Sequence, residues 1–128
     1  MNKYEFEVTD ETRAKVEAVL IRLGVDPSCM GYYYLIEIVS MYLSGYTVNH
    51  NITCLYNLVG EHFEKTGTRV ERAIRHVITK GFNYIVSQGI DFGFTEDGQL
   101  PNRQFIFTLV RHIKICDTLG KDYFDEKR

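Results

Sequence analysis

The chain contains no apolar run approaching the roughly 20 residues that a membrane-spanning helix needs, which excludes an integral helical membrane protein. Its first residues, MNKYEFEVTDETR, are polar and acidic and do not form a secretory signal. Cysteine is scarce. Cys29, Cys54 and Cys116 are odd in number, far apart and form no C-x-x-C pair, so the expectation is reduced, structural thiols in a cytoplasmic protein. There is no nucleophile elbow, phosphate-binding loop or dinucleotide fingerprint, and an enzyme is not expected. No pair among His50, His62, His76 and His112 has H-E-x-x-H or an equivalent spacing, and none lies at zinc-finger distance from a cysteine, so neither a metal nor a cofactor is expected. Internal repeats and low-complexity runs are also missing.

What remains is one domain's worth of sequence. The 128 residues are 45% hydrophobic and 25% charged, enough to build a single core without staples. The formal net charge of −2 argues against indiscriminate binding to nucleic acid. Charge is distributed unevenly, however. Residues 65–80 carry Lys65, Arg69, Arg72, Arg75 and Lys80 against Glu71 alone, a concentrated basic patch on an acidic body.

The punctuation predicts helices. Thr9 or Asp10 can cap a first helix whose Val16, Val19, Leu20 and Leu23 recur at helical spacing, and Gly24 stops it. GYYYLIEIVSMYLSG follows Pro27 and Ser28. Its β-branched and aromatic content would suit a buried strand, but its length and its Leu35/Ile38/Val39/Tyr42/Leu43 pattern favour a buried helix ending at Gly45. After the polar TVNHN, Asn51 can cap a third helix from Ile52 to about Glu64. KTGT is a short turn, and a fourth helix is expected over 68–81. GIDFGFTEDGQLP reads as a loop, and Asn102 as the cap of a last helix, RQFIFTLVRHIKICDTLG. The charged tail KDYFDEKR is expected to fray. The expected fold class is thus all-α, a compact domain of five or six helices spanning 1–128.

Two helices joined by a short glycine-containing turn, here over 52–81, form the outline of a helix-turn-helix. Val59 and Phe63 lie on the inner face of the first helix, and Val70 and Ile74 on that of the second. Gly60 supplies a small residue where two backbones would cross, a position at which glycine otherwise costs roughly 1 kcal/mol relative to alanine. At about 100° per residue, Arg69, Arg72, Arg75, His76 and Lys80 share an arc of roughly 140°, with Val70, Ala73, Ile74, Val77 and Ile78 opposite. Amphipathic helices routinely carry charged outer faces, but a solvated face usually alternates acids with bases, and this one does not. Guanidinium groups can bond guanine O6 and N7 bidentately or clamp phosphates, so the arc suits a recognition helix.

Glu71 has two readings. Thr68-Arg-Val-Glu71 fits a capping box, and Glu71 at the edge of the basic arc could equally accept from a cytosine N4 amine. Tyr32-Tyr33-Tyr34 reads as core and interface rather than a base-stacking platform. Glu61-His62 reads as surface, and His112 as facing solvent or an intermolecular contact.

The run TRVERAIRHVI, preceded by LYNLVGEHFEKTG, closely resembles the helix-turn-helix of the C-terminal effector domains of the stage-zero sporulation protein A family, response regulators that commit endospore-forming bacteria to sporulation. LGVDPSCMGYYYLIEIVSMYL resembles the family's second-helix region and LPNRQFIFTLVRHIKI its last helix, so the resemblance covers roughly residues 10–116. It implies a sequence-specific regulator that places its fourth helix in the major groove of double-stranded DNA, with Arg69, Glu71, Arg72 and Arg75 facing the DNA and His76 in support. Thr68 belongs to the same motif, and Lys65 and Lys80 would meet phosphate at the two ends of that helix. The operator implied resembles TGTCGAA, in tandem sites bound by head-to-tail homodimers.

The chain departs from the family pattern in several places. Nothing in it resembles the family's receiver domain. It is therefore either a free-standing effector domain or a fragment, and the start at Met1, unlike a linker, points to the former. The stretch KGFNYIVSQGIDFGFTEDGQLP, where the family is associated with contacts to the RNA polymerase sigma factor, is shorter and divergent. Gly60 stands where alanine is usual. These departures motivate an alternative from another class: a stand-alone module that modulates a full-length regulator by mixed dimerisation without binding DNA itself.

Overall fold

The computed structural model describes residues 8–45, 51–89 and 91–121, and among them the only regular elements are six helices: α1 (Asp10–Arg22), α2 (Met30–Leu43), α3 (Ile52–Phe63), α4 (Gly67–Lys80), α5 (Phe82–Ser87) and α6 (Asn102–Leu119). His50 and the tail after Lys121, two points of the sequence reading, lie outside the described residues.

The ambiguous second segment is helical, and its position explains its composition. α2 runs through the centre and touches α1, α3, α4 and α6. From Tyr34 to Tyr42 every side chain is buried, so the helix has almost no polar face to display. Tyr32 and Tyr34 are core residues, while Tyr33 is exposed. The two polar groups that α2 turns toward α1 are both satisfied. Arg13 grips the buried Glu37 through Nε (2.8 Å) and Nη2 (3.3 Å), and Tyr32 donates its hydroxyl to Glu17 (2.8 Å).

Two expected caps move. Thr9 does cap α1, accepting from Thr12 N, and Asn51 caps α3, accepting from Cys54 N. α4, however, begins one residue earlier than expected. Its N-cap is Thr66, whose hydroxyl accepts from Arg69 N at 3.1 Å, rather than Thr68. The Thr68/Glu71 capping box is therefore not formed. Nor does Asn102 cap α6: the cap position is Pro101, and Asn102 is buried in the first turn. α5, a short turn-and-a-half following Gly81, is the sixth of the five or six helices expected, although no pattern in the sequence marks its place.

Candidate nucleic-acid interface

The α3–α4 unit is built by backbone geometry. Glu64 closes α3 in the left-handed region (φ 60°), its amide bonding Glu61 O while that of Lys65 bonds Gly60 O at 2.7 Å. This is the six-to-one and five-to-two pattern of a Schellman turn. It reverses the chain onto Gly60, where an added Cβ would stand 2.5 Å from the Lys65 carbonyl oxygen. The small residue expected at the crossing is thus required by backbone rather than by a side chain. A second close approach occurs at Gly31, where a Cβ would overlap the carbonyl of Ala73 in α4. Val70, Ile74, Val77 and Ile78 complete the inner face of α4, all within the core.

With its inner face so held, α4 presents Thr68, Arg69, Arg72, Arg75, His76 and Lys80 outward, with Lys65 exposed in the preceding turn and Glu71 half-buried at the edge. Lys65, Arg69, Arg72 and His76 have no side-chain hydrogen bond or ion pair among the described residues, so their charge or donors are available to a ligand. Arg75 is instead paired with Glu71 one turn back. Lys80 is engaged within the chain, its ammonium donating to Asp26 at 2.5 Å beside Cys29 Sγ at 3.7 Å. That bond holds the Asp26 carboxyl well below the usual carboxylate range and raises Lys80. Lys80 therefore ties the end of α4 to the α1–α2 loop, and a phosphate would have to compete with Asp26 for its ammonium.

Two open grooves border the outward face of α4. One, of about 570 Å³, lies between α4 and the start of α2 and is lined by Lys65, Arg69, Arg72 and His76. The other, of about 550 Å³, lies between α4 and the start of α6, with Glu71, Arg75 and Arg103 on its walls. Sequence reasoning missed the second border. Asn102 organises it: its side-chain amide donates to Glu71 O (3.0 Å) and to the buried Tyr56 hydroxyl (3.2 Å), pinning α6 to both helices of the unit. No local pattern announces this, because the contacts span 31 and 46 residues.

Among the described residues no group of three or more His, Cys, Asp or Glu is placed to hold a metal ion, and Cys29, Cys54 and Cys116 form no disulfide. His62 is exposed, as expected, but His112 is only partly so, its Nε2 lying 3.4 Å from the buried Cys116 Sγ on its own helix. No helix among the described residues is long and apolar enough to cross a membrane.

A basic, outward-facing second helix locked to its predecessor by a tight turn has the outline of a helix-turn-helix. Residues 16–113 match the family described as sporulation initiation factor Spo0A C terminal, a span that includes the whole α3–α4 unit and all but the last turns of α6. The chain belongs to this family of DNA-binding effector domains of sporulation transcription regulators.

Proposed function

We propose that the protein is a sequence-specific binder of double-stranded DNA that inserts α4 into the major groove. The observation that carries this reading is the set of unpaired donors, Lys65, Arg69, Arg72 and His76, on one exposed face of a helix whose other face is core. Arg69 and Arg72 donate to base edges and adjacent phosphates, and Thr68, exposed now that Thr66 takes the cap, adds a hydroxyl near the helix start. Glu71, relieved of the capping role, accepts from a cytosine amine with Arg75 beside it. Lys65 and His76 meet phosphate. Lys80 is left out, being held by Asp26.

The operator is a TGTCGAA-type box in tandem, bound by two copies of the chain. Selection of bound duplexes from a random pool tests this directly: enrichment of one box at fixed spacing is expected. Arg72→Ala should then weaken binding to the enriched box by about 1–3 kcal/mol while changing random DNA little. Recovery of unrelated sequences at low salt would overturn base reading.

A further inference from the structure

We infer that Arg103 is a phosphate-binding residue of the interface, gripping the DNA strand on the side of α4 opposite Lys65. The inference rests on the DNA-binding reading above and extends it to a helix outside the α3–α4 unit. A helix lying in the major groove has a phosphate backbone on each side, about 12 Å apart across the groove. Affinity for DNA comes chiefly from cations facing those backbones. On the α2 side, α4 and its preceding turn supply Lys65, Arg69 and His76. On the α6 side, α4 supplies only Glu71 and Arg75, which neutralise each other as an ion pair. A cation on that side must therefore come from elsewhere.

Arg103 is placed to provide it. It is exposed, lines the same groove as Arg75, and has no hydrogen bond or ion pair among the described residues. It is also oriented. Its guanidinium lies 5.5 Å from the centre of the Phe107 ring, and Phe107 in turn packs edge-on against the buried Tyr42 at 4.9 Å. Stacking on an aromatic ring leaves the guanidinium edge free to donate and lowers the entropy lost when an anion binds. Asn102, the neighbouring residue, is bonded to the Glu71 carbonyl, so the distance between Arg103 and the reading helix is held by the fold.

The test compares the 128-residue chain with its Arg103→Ala, Arg103→Lys and Arg72→Ala variants on a duplex carrying tandem TGTCGAA boxes and on a scrambled duplex. Arg103→Ala is expected to weaken both duplexes by a similar factor, roughly five- to tenfold at low salt, and to reduce the slope of log K against log salt by about 1. Arg103→Lys should keep the slope. A single methylphosphonate scanned along the strands should abolish the wild-type advantage over Arg103→Ala at one phosphate per half-site, a coupling that a merely structural role for Arg103 does not produce. If the wild-type chain binds the boxes specifically and Arg103→Ala leaves affinity and slope unchanged, this assignment is wrong and the DNA reading stands. If the wild-type chain binds neither duplex, the DNA reading itself fails and this assignment with it.

Discussion

The side-chain amide of Asn102, at the first turn of α6, donates to the main-chain carbonyl of Glu71 in the middle of α4. The proposed reading helix is thus held by a residue 31 positions away, which also donates to Tyr56 in α3. One buried amide therefore joins three helices. Asn102→Ala should strip a donor from the buried Tyr56 hydroxyl and from Glu71 O together. A loss of about 1–3 kcal/mol in urea unfolding is expected, and a change under about 0.5 kcal/mol would contradict the bridging role.

Glu71 is paired with Arg75 instead of capping α4. Because it pairs with Arg75 on an exposed surface, Glu71→Ala should cost only about 0.3–0.5 kcal/mol of stability. Its effect on DNA should be larger and of another kind: weaker discrimination, by about 1–3 kcal/mol, at the one base pair where a cytosine is preferred. Binding to a panel of single-base variants of the selected box measures this. A uniform change across the panel would assign Glu71 a purely electrostatic role.

The turn between α3 and α4 makes opposite demands at two positions. At Gly60 an added methyl meets the Lys65 carbonyl oxygen, so Gly60→Ala should destabilise by about 1–3 kcal/mol, and weaken DNA binding through the displaced α4. At Glu64 the backbone is left-handed, a conformation that costs a non-glycine residue about 1–2 kcal/mol. Glu64→Gly should therefore stabilise the fold, by about 0.5–1 kcal/mol after the extra chain entropy of glycine is subtracted. Thermal denaturation of the two variants should shift in opposite directions.

Acid should loosen the Asp26–Lys80 tie. The folded-state pKa of Asp26 is depressed by the ammonium of Lys80 and by the Ser28 amide and hydroxyl, so its contribution is fully present above its unfolded value of about 3.9 and disappears as pH falls through the folded value. Lys80 is raised, so the same tie is lost only as pH climbs past about 10.4. Melting curves of the wild type and Asp26→Asn should differ by a constant amount between pH 5 and 9 and converge in strong acid. Curves that stay parallel to pH 2 would show that the tie does not contribute.

The helical architecture and the helix-turn-helix outline were legible from short-range pattern. The apolar spacing of Val59, Phe63, Val70 and Ile74, with a small residue at Gly60, marks two helices crossing closely. Caps were less legible where two candidates stood close together. Thr66 and Thr68 both carry hydroxyls, and the backbone angles set by the Schellman turn, absent from any residue pattern, select Thr66. Asn102 looks like a cap by type and position but spends its amide on distant helices. Lys80 looks free on a helical wheel because its partner, Asp26, lies 54 residues away. Each miss concerns a polar side chain whose partner is chosen by tertiary packing.

α4 is held in place through main-chain approaches at Gly31 and Gly60 and through four apolar residues on its inner face, while no outward residue at its centre is used to fasten it. Attachment and the proposed recognition are therefore written in separate alphabets on the same helix. Positions 68, 69, 72, 75 and 76 lie outside what anchors it, so exchanging them as a cassette should leave the frame constant while the proposed DNA address changes.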